Sequence, residues 1–241
     1  DDLTIYTHIL SPFSAYVMSV AAHLGLEYTE RTVDLTRNQH KSEWYLKINP
    51  EGRIPAITDG DVSMGESIEI SKYLIKSRNL KTSLYPVEDS KTCKAIDKCL
   101  EFRDEIEDKE REYLRKGFFN PLIFGGVTLT QEKIASLKDD VMEVYQKLED
   151  LLEEEKTKYF GSDDNPTLAD FYYFTMIYSL VDKNLVDLEN HPNLNAWFER
   201  TSEIPALANI RTRARRFMYL VYFYGGYILP IYRCLCCKRR R

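Results

Sequence analysis

The sequence predicts an α/β unit over residues 1–80, followed by an all-helical part over residues 89–216. Strand-like and helical patterns alternate through the first range in the order β-α-β-α-β-β-α, whereas the second range shows long charge-rich helical stretches and no convincing strand. Hydrophobic residues make up 44% of the 241 residues, which is enough to bury a core and excludes wholesale disorder. A third segment, residues 217–241, differs from both and is treated below as a tail.

Local patterns justify each element of the α/β part. Residues 14–24 place apolar side chains at helical spacing, and Gly25 suits the C-terminal end of that helix. Asp59-Gly60 lies between two β-prone runs, which is typical of a tight hairpin. The predicted elements are a strand over 3–7, a helix over 14–24, a strand over 28–33, a short helix over 44–48, strands over 54–58 and 62–64, and a helix that begins at residues 66–67.

Amphipathic spacing and capping signals justify the helical part. Residues 131–158 carry their apolar side chains on one stripe. Thr167 and Asp170 have the spacing of a capping box, so a helix is expected over 171–180. The other predicted helices cover residues 93–116, 192–201 and 205–216.

The charges are distributed unevenly along the chain. The 33 basic and 38 acidic residues give a net charge of −5, which argues against a general nucleic-acid binder. Nine of the basic residues and none of the acidic ones lie in residues 211–241, so an acidic body carries a basic tail. The uncharged run 217–232 is shorter than the about 20 apolar residues of a spanning helix. Its aromatic and basic composition suits a membrane surface, and packing against a protein partner is an equal alternative.

The five cysteines form no recognisable framework. Their number is odd, and three of them fall within the last eight residues without the spacing of a zinc site or a set of disulfides. Together with a start that lacks a signal-peptide pattern, this predicts a cytoplasmic protein without a metal. No cysteine occurs in residues 1–92, which argues against a thiol–disulfide enzyme with its nucleophile near the first helix.

Four short motifs occur in register along the chain. They are Ser11-Pro12-Phe13-Ser14, the segment from Asn49-Pro50 to Ile54-Pro55-Ala56, Glu66-Ser67, and the capping box at residues 167–170. In order and spacing they resemble cytosolic glutathione transferases, most closely the theta class, over about residues 3–210. The resemblance implies a thioredoxin-like glutathione-binding domain followed by an all-helical domain, with glutathione as co-substrate and a homodimer as the assembly.

The resemblance also implies where glutathione binds. In this family the bond before Pro55 is cis, and Ile54 offers its backbone to the cysteinyl part of the tripeptide. Glu66 and Ser67 begin a helix whose free N–H groups suit the γ-glutamyl carboxylate, although Ser67 could equally be a plain N-cap. His40, Lys41 and Arg53 approach the glycyl carboxylate. Phe13 and Asp104 complete the residues that the resemblance implies.

Ser11 is the catalytic candidate. A thiol with a pKa of about 8.5 is mostly protonated at neutral pH, and a hydroxyl that donates to sulfur favours the thiolate. Ser14 is the second candidate and Tyr6 the third, while simple turn chemistry is the alternative for a serine before proline. A small hydrophobic electrophile is expected between the domains, against Phe13, Phe102 and the residues after Phe118-Phe119.

Two functions therefore follow as hypotheses. The first is a glutathione transferase that conjugates the thiolate to small electrophiles. The second is a weakly catalytic structural subunit or scaffold of the same fold, docked through its tail to a membrane or a larger complex. The second hypothesis is favoured by the basic aromatic tail, by the acidic body and by Ala15, which stands where relatives usually carry arginine. The first is favoured by Ser11, Arg53 and Glu66-Ser67.

Overall fold

The computed structural model describes residues 2–35, 37–117 and 129–217. The tail beyond residue 217 and Phe118-Phe119 lie outside the described residues, so the predictions made for them stay predictions. The architecture is the predicted one, with a thioredoxin-like α/β half followed by a helical half.

A four-stranded mixed sheet forms the centre of the α/β half. Its order is β2-β1-β3-β4, with β1 parallel to β2 and antiparallel to β3, and β3 joined to β4 by the predicted Asp59-Gly60 hairpin. The strands are β1 (Thr4–Thr7), β2 (Thr29–Thr32), β3 (Ala56–Asp59) and β4 (Val62–Met64); the helices are α1 (Pro12–His23), α2 (Glu43–Leu46) and α3 (Ser67–Ser77), and a 3-10 turn (Gln39–Lys41) precedes α2.

The alternation of side chains along β1 divides the packing between the two faces of the sheet. Ile5 is fully buried in the main core with Val20 of α1 and Leu74 of α3. Tyr6, the next residue, belongs to a separate cluster with Tyr45 of α2. The main core continues from the first face into the helical half, where the ring of Tyr172 lies 5.5 Å from that of Tyr16.

The helical half contains six helices among the described residues: α4 (Ser90–Cys99), α5 (Arg103–Leu114), α6 (Gln131–Glu155), α7 (Leu168–Val181), α8 (Pro192–Ser202) and α9 over residues 205–217. The single helix predicted over 93–116 is wrong in one respect, because a 3-10 turn at Leu100–Phe102 separates α4 from α5. The capping box at Thr167 is confirmed and starts α7. Within the described ranges, no helix combines the length and apolarity that a membrane crossing requires.

Buried carboxylates connect the helices. Asp170, with no exposure, accepts hydrogen bonds from the backbone N–H groups of Phe160 (3.0 Å) and Thr167 (2.6 Å) and from the indole of Trp197 (2.7 Å). Glu149 accepts from the N–H groups of residues 193 and 194 at 3.0 and 2.7 Å, and thereby caps α8. These two acids bond the loop before α7 and the start of α8 to their neighbours.

Helix α9 is attached to both halves by ion pairs. Arg213 makes two 2.8 Å contacts with Glu30 of β2, which also accepts from the hydroxyl of Thr7 at 2.9 Å. Arg211 and Arg215 both bind Asp182 at the end of α7, each with a contact of 2.6 Å. The last described helix therefore bridges the edge of the sheet and the helical half.

Candidate functional site

The sheet register brings four loops to one edge, which we call the site edge. Thr7 pairs with Thr32 and Tyr6 with Ala56, so the ends of β1 and β2 lie beside the start of β3. Met64 at the end of β4 pairs with Ile57 of β3. The loops over residues 8–11, 33–41, 53–55 and 65–67 therefore meet there, and they hold every predicted site residue of the α/β half except Phe13, which lies in the first turn of α1.

Ser11 lies at the start of α1 with its hydroxyl partly engaged. It is the N-cap residue, half-buried, and its Oγ accepts a hydrogen bond from the N–H of Ser14 at 3.2 Å. Accepting leaves the hydroxyl proton free to donate, and the helix N-terminus adds partial positive charge beside it. This geometry can stabilise a bound thiolate.

The two other candidates are less suitable. Ser14 is only 1% exposed, and its Oγ accepts from the N–H of His8 at 3.2 Å. Tyr6 lies in the second cluster, where its ring packs against Trp44 and Tyr45. Both side chains are enclosed by protein, so the geometry favours Ser11.

His8 is a residue of this turn that the sequence pattern did not single out. Its carbonyl accepts from the N–H of Ser11 at 2.9 Å, and its Nδ1 accepts from the N–H of Leu10 at 3.2 Å. Burial lowers the pKa of its imidazole, against the opposing charge of Asp34. His8 therefore shapes the turn as a neutral side chain; a single histidine after a strand carries no sequence signal for that role.

The bond between Ile54 and Pro55 is cis, as the resemblance implies. The carbonyl of Arg53 is fixed by the hydroxyl of Tyr45 at 2.6 Å and by Nδ2 of Asn49 at 2.9 Å. Among the described residues, none bonds to the backbone N–H or C=O of Ile54. That backbone is thus held in place and available to a ligand.

Helix α3 begins without a cap. Glu66 is its N-cap residue, with φ of 62° and no side-chain cap bond, and Ser67 is the first helical residue. The interpretation of Ser67 as a plain N-cap is therefore wrong. The first α3 N–H with a helical partner is that of Ile70, which donates to Glu66 at 2.8 Å. Uncapped N–H groups beside the Ser67 hydroxyl form an arrangement that suits a carboxylate.

The three predicted basic residues lie around the loop over 49–53. Lys41 Nζ donates to the carbonyl of Glu51 at 3.0 Å, and the carbonyl of His40 lies so close to Gly52 that a Cβ there would be 2.7 Å away. The His40 Nδ1 is buried without a partner among the described residues, and burial lowers the pKa of the ring. The Arg53 side chain is 73% exposed, 3.7 Å from Glu51. Arg53 is thus a cation that is open to ligands from solvent.

Asp104 and its neighbour Glu107 differ in their surroundings. Asp104 is 81% exposed and pairs with adjacent Arg103 at 3.3 Å. Glu107, one turn further along α5, is half-buried, and burial raises the pKa of its carboxyl although the charges of Arg111 and Arg53 oppose this. Glu107 also lines the cavity between the two halves, whereas Asp104 does not, so Glu107 is the better placed acid of this pair.

A cavity of about 400 Å³ lies between the two halves. Pro12 and Phe13, directly after Ser11, form one wall; the opposite wall includes Glu110 and Leu114 of α5, Met176 of α7 and Ala214 of α9. Phe13 therefore has the predicted position. Phe102 does not, since it is not among the residues that line the cavity. No cluster of metal-ligating side chains occurs within residues 2–35, 37–117 and 129–217.

Comparison with known proteins agrees with this geometry. Residues 1–76 match the family model described as glutathione S-transferase, N-terminal domain, and residues 123–210 match that of the glutathione S-transferase C-terminal domain. Glutathione S-transferase theta-2 of Mus musculus is 29% identical over 198 residues, which are 82% of this chain and 80% of the relative.

Solved structures share the same architecture. A glutathione transferase homologue from Drosophila mojavensis with bound glutathione is 28% identical, with a TM-score of 0.75 over 92% of this chain and 96% of the other. A point mutant of human glutathione S-transferase T1-1 in its apo form has a TM-score of 0.78 at 24% identity, over 90% of each chain, and indicates the fold alone.

Proposed function

Because the chain belongs to the glutathione S-transferase family, we propose that it ionises glutathione at the site edge and transfers the thiolate to small hydrophobic electrophiles in the cavity. The observation that carries this proposal is the position of Ser11, whose hydroxyl proton is free beside a helix N-terminus and next to the cavity wall at Pro12 and Phe13. The enzyme is then theta-like and uses a serine.

The free energy needed to ionise the thiol is comparable to what Ser11 and the helix N-terminus can supply. Lowering the thiol pKa by about two units requires about 2.7 kcal/mol of differential stabilisation. A hydrogen bond to a charged group contributes about 1.5–3 kcal/mol, and a helix N-terminus adds about 0.3–1 kcal/mol. Ser11 and the start of α1 can together supply that amount.

The remaining residues bind the tripeptide in this proposal. The uncapped start of α3 at Glu66-Ser67 takes the γ-glutamyl end, the free backbone of Ile54 before Pro55 takes the cysteinyl part, and Arg53 takes the glycyl carboxylate. Residues whose part is supported by the resemblance alone are Phe13, His40, Lys41 and Asp104.

The proposal extends to organisation and location. We place the glutathione-binding domain at residues 1–80, the helical domain at 89–216 and the tail at 217–241, in a cytoplasmic homodimer. The scaffold hypothesis depends on the tail, which lies almost wholly outside the described residues. Its other supports are the acidic body and Ala15. Ala15 is buried against Met18 and Ile210, so this chain has apolar contacts at the position where relatives carry arginine.

Calorimetric titration with glutathione at neutral pH tests the function. We expect Arg53→Ala to weaken binding about tenfold, because a guanidinium–carboxylate contact is lost. Ser11→Ala should leave affinity nearly unchanged but raise the pKa of the bound thiol by about 1–2 units, seen as lost ultraviolet thiolate absorbance.

Lys47→Ala is the matched control, since Lys47 is 74% exposed on the same segment and pairs with Glu43 instead. Lys47→Ala should change neither the affinity for glutathione nor the pKa of the bound thiol. Absence of binding at millimolar glutathione would overturn the proposed function.

A further inference from the structure

Glu110 is a buried acid in the wall of the cavity. The residue is 2% exposed and lines the cavity from α5. Oε1 accepts a hydrogen bond from the hydroxyl of Tyr145 on α6 at 2.6 Å. Among the described residues, Oε2 has no hydrogen-bond partner. A cavity-lining carboxyl group with one oxygen unpartnered in this way is suited to interact with a bound molecule.

Among the residues that the structure describes, no cation pairs with this acid. Arg111 binds Glu107 at 2.9 Å, and Arg215 binds Asp182 at 2.7 Å. Burial raises the pKa of Glu110 to about 8, and the bond from Tyr145 only opposes that rise. Glu110 is therefore a neutral proton donor at pH 7. The ionisable side chains that surround it or line the same cavity are Glu107, Arg111, Tyr113 and Arg115 of α5, Tyr145 of α6, Asp182 and Lys183 at the end of α7, and Arg215 of α9.

We propose that Glu110 is the general acid of this cavity for electrophiles that develop negative charge on oxygen as the thiolate attacks, of which an epoxide is the test case. The inference rests on the proposed function, because it needs a glutathione thiolate at Ser11. The cavity supplies the geometry, since Glu110 and Phe13, which is close to Ser11 in the chain, line one space of about 400 Å³. That volume suits a small organic molecule.

The chemical step balances without a further reactant. The glutathione sulfur forms a bond to the epoxide carbon, the carbon–oxygen bond breaks, and its electron pair goes to oxygen. The carboxyl proton of Glu110 moves to that oxygen and gives the alcohol. Glu110 is left as a carboxylate and regains a proton from water before the next turnover. With a halide substrate the leaving group needs no proton, and Glu110 has no part.

The alternative is that Glu110 only joins α5 to α6 through Tyr145. A purely structural residue would affect all substrates to the same degree, whereas a general acid affects only those whose oxygen needs a proton. Styrene oxide and benzyl chloride make a matched pair for this distinction, because both offer a benzylic carbon beside a phenyl ring. Both reactions use the same glutathione thiolate, so a change in glutathione ionisation affects both kcat/KM values equally and leaves their ratio unchanged.

The test compares Glu110→Gln with the unaltered enzyme on both substrates, after subtraction of the uncatalysed rate. We expect kcat/KM for styrene oxide to fall about 100-fold, which is the usual size of a general-acid contribution, while that for benzyl chloride stays within about threefold. In the unaltered enzyme the ratio should fall above pH 8, and in the variant it should be flat. Equal losses on both substrates would overturn the proposal.

Tyr145→Phe keeps the test decisive if the glutamine variant does not fold. It retains the acid and removes the bond that lowers the pKa of Glu110, so the fall in the ratio should move to higher pH. An unmoved pH profile would contradict the role of Glu110. If Glu110→Gln conjugates benzyl chloride and its ratio of kcat/KM values for the two substrates equals that of the unaltered enzyme, this inference alone is rejected. If the unaltered enzyme fails to bind glutathione, or conjugates neither substrate, the proposed function is rejected as well.

Discussion

The site edge and the helical half use polar groups in opposite ways. At the site edge, the start of α3 is uncapped, the Ile54 backbone is unpaired among the described residues, and Arg53 is open to solvent. In the helical half, Asp170 and Glu149 are buried and bonded to several donors each. Polar groups without hydrogen-bond partners indicate where this chain can bind a ligand, and fully hydrogen-bonded polar groups indicate where it gains stability.

Glu110 departs from the pattern of its own half. It is as deeply buried as Glu149, yet within the described part of the chain it has a single hydrogen-bond partner, and it lines a cavity. The comparison therefore separates structural from functional carboxylates by their number of hydrogen bonds rather than by depth. Four predictions test this distinction, ordered by the size of the expected effect.

Asp170→Ala should lower the free energy of unfolding by about 3–5 kcal/mol, because the partners of a buried charged group lose their acceptor together. Urea unfolding followed by circular dichroism measures the change. Asp164→Ala, at an exposed position in the preceding loop, should stay within about 0.5 kcal/mol. A comparable loss in both variants would mean that the bonds to Asp170 are not what stabilises this half.

Stability should fall with rising pH through Glu110. Its pKa is raised from an ordinary 4.5 to about 8 in the folded chain, so between these values the unfolded state has released a proton that the folded state retains. Unfolding free energy then falls by up to about 1.4 kcal/mol per pH unit in that window and levels off above it. Urea unfolding midpoints of the unaltered chain and of Glu110→Gln, measured from pH 5 to 9, show how much of the pH dependence of stability comes from Glu110. If the midpoints of both chains change with pH in the same way, Glu110 is not buried as an uncharged acid.

Ser14→Ala should cost about 1 kcal/mol of stability, since the N–H of His8 loses its acceptor. It should leave the pKa of bound glutathione unchanged, in contrast to Ser11→Ala. Urea unfolding and thiolate absorbance measured on the same samples separate the two effects. A raised thiol pKa in Ser14→Ala would transfer the catalytic role to Ser14.

Asp104→Ala should change the dissociation constant of glutathione by less than about twofold, because an exposed ion pair contributes little. Glu107→Ala serves as the comparison, since Glu107 is the half-buried acid that senses Arg53. Calorimetry of both variants checks this. A larger loss in Asp104→Ala than in Glu107→Ala would restore Asp104 as the ligand that the resemblance implies.

Most of the fold and of the site edge could be predicted because their determinants are local. The hairpin follows from Asp59-Gly60, the start of α7 from Thr167 and Asp170, and the cis bond from Pro55 in its motif. Each of these signals lies within a few residues of the structure it specifies. The break between α4 and α5 has no glycine or proline to announce it, so the pattern predicted one helix.

The cavity could be predicted only in outline because its walls come from distant segments. Glu110 stands in the run from Arg103 to Arg111, which has charges at most positions and indicates a solvated helix face. Its burial depends on Tyr145 of α6, 35 residues away, and no periodicity within α5 records that contact. Side chains whose surroundings are set by tertiary packing are those that a local pattern cannot assign.

The ion pair between Glu30 and Arg213 joins residues 183 positions apart. At about 5–20 residues per second, a ribosome needs roughly 10–40 s to synthesise the chain between them. Once β4 has been made, β2 is the outer strand of a complete sheet whose bridge to α9 does not yet exist. The α/β half must therefore hold its edge strand during synthesis with local contacts such as Thr7 to Glu30, and the far end of the chain secures it last.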